Sequence, residues 1–219
     1  MRRLPAFLIL LLALASGLVH SQTAPDGAAT GLAGYWQASL TAETSQDYDG
    51  AFKQLAAWQQ GGGNPFLANL RAGWLFYLKK NYAAAGKAYA EAERLQPSAI
   101  NPLLGLLNVA QAQGDAAAVD KAVGDVLRAD PLNYRAQMAG AWQQYSAKNY
   151  SQALAGYRRV LTYYPDDLAA ISGEGWSLYY LGDLKNAATD FQALLAVNPS
   201  YLYARQGLDL CQGKTTQTP

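Results

Sequence analysis

The sequence predicts an all-α solenoid in which five antiparallel helical hairpins stack in a row and end in a capping helix. Three observations lead to this prediction. From Leu32 onward the chain repeats every 34 residues without insertion or deletion. Small residues return at two fixed positions of each unit, where paired helices must approach closely. A proline, which cannot donate a backbone hydrogen bond, returns near the end of four units and predicts a helix end there.

The period is visible first in the turns. Lys80-Asn81-Tyr82 returns as Lys148-Asn149-Tyr150, two periods later, while Gly114-Asp115 lies halfway between them and Gly182-Asp183 one period beyond. Glycine, asparagine and aspartate favour turns, so these segments mark the bend inside each hairpin. The units that follow are 32–65, 66–99, 100–133, 134–167 and 168–201.

Within each unit, four positions are predicted to pack the two helices together. Position 8 carries Ser39, Gly73, Leu107, Ala141 and Gly175, and position 20 carries Ala51, Ala85, Val119, Ala153 and Ala187. Position 24 carries Leu55, Tyr89, Val123, Tyr157 and Phe191, and position 27 carries Trp58, Ala92, Val126, Val160 and Leu194. Position 32 is Pro97, Pro131, Pro165 and Pro199 in the last four units.

The two ends of the array differ from its middle. Between units one and two, residues 61–65 read Gly-Gly-Gly-Asn-Pro, which predicts a flexible loop or, alternatively, a hinge that sets the angle of the first hairpin. After the fifth unit, residues 202–213 carry the apolar residues of a further helix, which would cover the open flank of the stack. The solenoid is therefore predicted over 32–213, with a disordered tail at 214–219.

A unit of this length and pattern resembles the tetratricopeptide repeat, and the resemblance spans residues 32–201. In the fifth unit the family's signature places hold Gly175, Gly182-Asp183, Ala187, Phe191 and Pro199. The tryptophan typical of position 4 is absent, and Tyr35, Asn69, Leu103, Gln137 and Ile171 stand there instead. The resemblance implies a right-handed superhelix, a concave groove lined by the first helix of each hairpin, and a role in binding other molecules without catalysis.

The first 21 residues have the layout of a secretory signal peptide. Arg2 and Arg3 precede an apolar run over residues 4–19, and small and polar residues follow. The alternative is a membrane anchor over 4–19, although roughly 20 apolar residues are normally needed to span a bilayer. An exported chain, periplasmic or secreted, is the prediction, and similarity to exported repeat proteins favours the bacterial periplasm.

Cleavage is expected after Ser21, or alternatively after Gly17, and residues 22–31 are expected to form a flexible linker. With cleavage after Ser21 the mature chain would lack histidine, because His20 is the only one. The single cysteine, Cys211, cannot form an internal disulfide and is predicted to be a small packing residue.

An aromatic stripe is predicted to line the groove. Since a helix turns about 100° per residue, positions 2, 5, 9 and 12 of the first helix lie on one face, about 120° from the packing face. In proteins similar to this one, that face meets the partner. Here it contains Trp36, Trp74, Tyr77, Trp142, Tyr145, Trp176 and Tyr179. The alternative interpretation is that these rings belong to the core.

The third unit interrupts this stripe with Asn108 and Gln111, near Asn101 and, from the fourth unit, Arg135. Such groups can hydrogen-bond a peptide backbone or a carboxylate, or they can simply be solvated. Related carboxylate-clamp repeats use a lysine at position 5 and an asparagine at position 9. In this chain only Asn108 and Arg135 resemble that pattern.

Composition argues against several classes of function. A formal net charge of +1 and the lack of a basic block in the mature chain exclude a typical nucleic-acid-binding protein. Without histidine or a second cysteine, neither a Ser-His-Asp triad nor a zinc site of usual spacing can form, so neither an enzyme nor a cofactor is predicted.

Two functions stay open at this point. The first is a non-catalytic scaffold of the cell envelope that binds a peptide segment or a helix of another protein in the groove. The second is a carbohydrate-binding accessory protein in polysaccharide assembly or export, because flat aromatic faces stack on sugar rings. Membrane contact is expected only through an uncleaved signal segment.

Overall fold

The computed structural model describes residues 31–214, and eleven α-helices occupy that range. They are α1 Leu32–Thr44, α2 Tyr48–Gln60, α3 Pro65–Leu78, α4 Tyr82–Leu95, α5 Ile100–Gln113, α6 Ala116–Ala129, α7 Tyr134–Ser146, α8 Tyr150–Tyr163, α9 Leu168–Tyr180, α10 Leu184–Val197 and α11 Leu202–Cys211. The predicted signal segment, residues 22–30 of the predicted linker and residues 215–219 of the predicted tail lie outside the described residues. The predicted all-α repeat fold is confirmed.

The helices pair into five hairpins, followed by α11. The second helices begin at Tyr48, Tyr82, Ala116, Tyr150 and Leu184, and each of these residues lies 34 after the one before. Every helix packs against the next along the chain, and α3 also touches α5, while α9 touches both α7 and α11. First helices of neighbouring repeats therefore touch at three places along the stack, and the aromatic stripe lies on these first helices. Within 31–214 no helix has the length and apolar character that crossing a bilayer requires.

The turn inside each hairpin has the same backbone geometry. Position 15 is in the left-handed region in all five units, with φ of 61° at Gln46, 58° at Lys80, 69° at Gly114, 64° at Lys148 and 86° at Gly182. The next residue begins the second helix as its N-cap, and the side chains of Asp47, Asn81, Asp115 and Asp183 each accept a hydrogen bond from the backbone N–H three residues on. The repeated Lys-Asn-Tyr is therefore a left-handed residue, a helix cap and the first helical residue.

Glycine at this turn position is expected to stabilise the fold. Lys148→Gly should raise the free energy of unfolding by about 1 kcal/mol, because a side chain in the left-handed region costs energy that glycine avoids. Gly182→Ala is the reverse change at the same position of the next hairpin and should lower it by a similar amount. Urea unfolding followed by circular dichroism measures both. Equal stability of the two variants would contradict this explanation of the turn.

The predicted packing positions form the core. All residues at positions 8, 20, 24 and 27 are buried. The aromatic rings at position 24 also join neighbouring hairpins, since Tyr89, Tyr157 and Phe191 lie against glycines of the following first helix. A Cβ added at Gly105, Gly173 or Gly207 would lie 2.5, 2.3 or 2.4 Å from the respective ring. Sequence reasoning did not identify these glycines at position 6.

Cys211 is half-buried and packs against the core cluster of α10 and α11. Burial raises the pKa of its thiol, which keeps the sulfur protonated at neutral pH and suits a packing role.

The glycine-rich segment between the first two hairpins forms a close turn. Gly62 has a φ of 93°. Gly63 lies under the indole of Trp58, where a Cβ would come within 2.3 Å of the ring. Asn64 then caps α3 by accepting a hydrogen bond from the N–H of Leu67 at 3.2 Å. Helix α3 begins at Pro65, one residue before the predicted unit boundary, because proline suits the first turn of a helix.

Candidate binding groove

Aromatic side chains of the first helices, together with the tyrosine that begins the second helix of two hairpins, gather into two clusters. The first aromatic cluster comprises Trp74, Tyr77 and Tyr82. The second aromatic cluster comprises Trp142, Tyr145, Tyr150, Trp176, Tyr179 and Tyr180. Between them lies the polar third repeat, so the stripe has an aromatic patch on each side of a polar centre.

In the first aromatic cluster the rings of Trp74 and Tyr77 stack, with centroids 5.8 Å apart and planes 16° apart. Tyr82, the tyrosine of the first Lys-Asn-Tyr turn, lies 5.7 Å from Tyr77. The indole Nε1–H of Trp74 donates a hydrogen bond of 2.7 Å to Oε1 of Glu43, on α1 of the preceding repeat. Trp74 and Tyr77 are both half-buried. The orientation of Trp74 is thus fixed by groups on two helices.

The second aromatic cluster repeats this arrangement of one tryptophan and two tyrosines and adds three residues from the next repeat. Trp142 stacks on Tyr145 at 5.6 Å and 21°, and Tyr150 of the second Lys-Asn-Tyr turn lies 5.6 Å from Tyr145. Tyr180 of the next repeat stacks on Tyr150 at 4.5 Å and 9°. Two side chains in this cluster are well exposed, Trp142 at 43% and Tyr180 at 50%. An approaching molecule can therefore reach flat apolar faces here.

Burial raises the pKa of one tyrosine hydroxyl group in each aromatic cluster. It raises the pKa of Tyr77, with a smaller contribution from Tyr82. It likewise raises the pKa of Tyr145, followed by contributions from Tyr180 and Tyr150. Both hydroxyl groups therefore remain protonated at neutral pH and can donate hydrogen bonds to a ligand.

Five predicted stripe residues also pack against the core: Trp36, Tyr77, Tyr145, Trp176 and Tyr179. The ring of Trp36 lies 4.8 Å from that of the buried Trp58, and the ring of Trp176 lies 5.1 Å from that of the buried Phe191. Both tryptophans, like Tyr179, are half-buried. The stripe therefore combines packing with exposure, and its most accessible tryptophan is Trp142.

The polar centre lies between the two clusters. The guanidinium of Arg135 on α7 donates a hydrogen bond to Oδ1 of Asn108 on α5. It also opposes the rise in the pKa of Tyr77, which shows that its charge reaches the first aromatic cluster. Asn101 and Arg135 are exposed, and Asn108 and Gln111 are half-buried. Within the described range no carboxylate forms an ion pair with Arg135. The centre therefore offers hydrogen-bond donors and acceptors and one positive charge.

Sequence reasoning missed five residues of this region. Tyr82 joins the first aromatic cluster, and Tyr150 and Tyr180 join the second. The return of tyrosine at position 17, in Tyr82 and Tyr150, was the available signal. Glu43 and Arg71 form an ion pair next to Trp74. The sequence feature that could have indicated this pair is Arg71 at position 6 of the second repeat, where the later repeats carry glycine or alanine.

The part of the chain covered by the structure, residues 31–214, contains no group of three or more His, Cys, Asp or Glu side chains that could hold a metal ion.

An ionisable cluster is formed by residues of α8, α9 and α10. Burial raises the pKa of Asp190 on α10 to about 7, with further contributions from Glu174 on α9 and Asp183, while Arg158 on α8 acts in the opposite direction. Oδ2 of Asp190 is buried without a hydrogen-bond partner. Arg158 instead pairs with Glu174 at 2.7 Å.

Asp190 is expected to make the fold less stable as the pH rises. In the native state the Asp190 carboxyl retains its proton up to about pH 7, whereas in the unfolded chain the same carboxyl loses its proton near pH 4. The free energy of unfolding should therefore fall as the pH rises from 4 to 7. Asp190→Asn should abolish this slope. We expect the free energy of unfolding of the variant to equal that of wild type near pH 4 and to exceed it by about 1 kcal/mol at pH 8. The difference stays this small because solvent screens a half-buried carboxyl group. Urea unfolding across this range tests the expectation, and parallel pH profiles would contradict it.

Together, the stacked hairpins, the aromatic clusters and the polar centre define a helical-repeat protein with a candidate binding surface along its first helices. No protein-family model matches the chain, and no curated protein matches it either. Solved structures do match, and they are tetratricopeptide repeat proteins. The chain therefore has the tetratricopeptide repeat fold, as the sequence pattern predicted.

Three of these structures illustrate the similarity. A tetratricopeptide repeat protein from Parabacteroides merdae is 16% identical, with a TM-score of 0.72 over 84% of this chain and 74% of that one. MamA from Desulfovibrio magneticus is 14% identical, with a TM-score of 0.67 over 80% of this chain and 99% of that one. YrrB, a protein with an unusual peptide-binding site, is 13% identical, with a TM-score of 0.64 over 78% and 89%.

Proposed function

We propose that this protein is a non-catalytic interaction scaffold that binds a peptide segment or a helix of another protein in its groove. The observation that carries the proposal is the second aromatic cluster, where Trp142 and Tyr180 remain 43% and 50% exposed although their neighbours pack. Aromatic side chains of this kind dominate the energy of protein interfaces when a partner covers them.

The polar centre supports a peptide as the ligand. A peptide that crosses from one aromatic cluster to the other passes Asn108, Gln111 and Arg135, whose groups can satisfy its backbone amides and carbonyls or an acidic side chain. Apolar side chains on either side would then lie on Trp74 and Trp142. YrrB, which shares the fold, supports the proposal because it is a tetratricopeptide repeat protein with a peptide-binding site.

The proposed site of action is the cell envelope. This part of the proposal rests on residues 1–21, whose two arginines and apolar run have the layout of an export signal. A scaffold in that compartment would meet other exported proteins, and the bacterial periplasm suits it best.

A second candidate function is carbohydrate binding in polysaccharide assembly or export. The observation in its favour is the flat, accessible face of Trp142, with the tyrosine hydroxyls of the same cluster beside it. An aromatic face stacks on a sugar ring, and hydroxyl groups hydrogen-bond to it.

One paired experiment tests the proposal against this alternative. The purified mature protein is titrated on an array of random peptides, and its mobility is measured in native gels that contain envelope polysaccharides. We expect binding to a subset of peptides rich in apolar and acidic residues, and unchanged mobility in the glycan gels. Retardation by a glycan without binding to any peptide would reject the peptide-binding proposal and support the second candidate.

A further inference from the structure

The junction between the first two repeats contains an ion pair between a buried arginine and a half-buried glutamate. Arg71 on α3 is only 8% exposed. Its guanidinium donates hydrogen bonds to the backbone oxygen of Ser39 at 2.9 Å and to the hydroxyl of Ser39 at 3.2 and 3.3 Å, and it pairs with Oε2 of Glu43. Every described partner of this guanidinium lies on α1. Charged and polar groups therefore help to join the first and second repeats, beside apolar contacts such as that between the rings of Phe52 and Phe76.

This junction differs from the others along the stack. At position 6, where Arg71 lies, the later first helices carry Gly105, Ala139, Gly173 and Gly207. Three of these are glycines on which an aromatic ring of the preceding repeat packs. A dry ring-on-glycine contact is replaced here by an ion pair. Buried ion pairs add little net stability and fix geometry strictly, because a displaced charge is left uncompensated.

The same carboxylate also holds a groove residue. While Oε2 of Glu43 faces Arg71, Oε1 accepts the 2.7 Å hydrogen bond from the indole of Trp74. Glu43 comes from the first repeat and Trp74 from the second, so this contact exists only when the two hairpins are docked. A carboxylate fixed on one side by a buried guanidinium is a rigid acceptor for the indole.

We propose that Glu43 is a positioning residue for the groove, held by Arg71, and that it makes the orientation of Trp74 dependent on docking of the first repeat. The inference rests on the proposed function, because it assigns Trp74 a defined orientation for a partner. It also restricts the partner's chemistry at this point. Since the indole N–H is already engaged, a ligand meets the face of Trp74 with an apolar or aromatic group and does not accept a hydrogen bond from its edge.

The test measures the indole N–H of Trp74 directly by nitrogen-15 correlation NMR, with its resonance assigned through Trp74→Phe. In the double variant Glu43→Leu/Arg71→Met both charges are replaced by apolar side chains of similar length, which leaves no uncompensated charge at the junction. We expect the amides of α1 to stay protected, while hydrogen exchange of the Trp74 indole accelerates roughly 10- to 100-fold, because a hydrogen bond to a charged acceptor is lost.

The matched control is Asp49→Asn. Asp49 on α2 pairs with Lys79 at the end of α3 at 2.6 Å, so this change also removes a carboxylate from an ion pair between the same two repeats. The pair is exposed and distant from the indole contact. We expect the chemical shift and exchange rate of the Trp74 indole to remain as in wild type.

An unchanged indole shift and exchange rate in the double variant would overturn the proposal. If α1 unfolds in the double variant, a second measurement on the wild-type protein tests the proposal instead. As urea is raised, exchange of the Trp74 indole should accelerate in step with the amides of α1, and acceleration well before those amides would equally overturn the proposal. These NMR measurements contain no peptide, so a negative result here can be distinguished from a lack of binding on the peptide array.

Discussion

Gly105→Ala is expected to lower the free energy of unfolding by about 1–3 kcal/mol, although alanine is the better helix former. The ring of Tyr89 lies between the backbones of Gly73 and Gly105, and a Cβ at Gly105 would fall 2.5 Å from it. The ring has little room to move, because the backbone of Gly73 also lies against it and a Cβ added there would fall 2.7 Å from the same ring. Overpacking at this point separates the second and third hairpins. Urea unfolding monitored by circular dichroism gives the stability difference.

Gly124→Ala is the matched control for this change. Gly124 lies inside helix α6, where nothing would come within 4 Å of an added Cβ. The substitution should therefore raise the free energy of unfolding by about 0.5–1 kcal/mol through helix propensity alone. If both variants were stabilised, the ring-on-glycine contact would not be what joins the hairpins.

Trp142→Ala should weaken binding of a peptide selected on the array by about 10- to 100-fold. The reason is that an exposed tryptophan in an aromatic cluster has the properties of an interface hot spot, whose truncation costs about 2 kcal/mol or more. Fluorescence anisotropy of the labelled peptide measures the change. Because Trp142 is 43% exposed, the helical circular dichroism signal should stay near that of wild type.

Tyr163→Ala is the control for exposure alone. Tyr163 is 54% exposed at the end of α8, a second helix outside the stripe. Its removal should leave the peptide affinity unchanged. Equal losses of affinity in both variants would indicate non-specific aromatic contact and contradict a defined groove.

The choice of Trp142 over its counterparts follows from packing that the sequence did not reveal. Trp176 contacts the buried Phe191, and Trp74 is held by Glu43. Alanine at either position would therefore disturb core packing or the first junction together with the groove, and a loss of binding would have two causes.

The fold could be predicted from the sequence because its rules are local and repeat. Small residues at positions 8 and 20, a turn at position 15 and a proline at position 32 each act within one hairpin, and the period multiplies the signal. The first helix of every later unit begins within one residue of the predicted boundary for the same reason.

The site could be predicted only in part. Helical geometry places Trp74, Trp142 and Trp176 on one face, but the burial of each ring depends on neighbouring hairpins. The hydrogen bond between Glu43 and Trp74 joins residues 31 positions apart. The stacking of Tyr150 on Tyr180 likewise depends on how successive hairpins are rotated, which a single sequence does not specify. Export, the envelope location and the identity of the partner remain predictions.

The most direct test of the central claim is site-specific photo-cross-linking in the native envelope fraction. A photoreactive phenylalanine analogue replaces either Trp142 in the groove or Tyr163 on α8. The groove account predicts a discrete cross-linked product from position 142 that disappears when excess unmodified protein competes, and no such product from position 163. The same products from both positions, or none that competition suppresses, would contradict it.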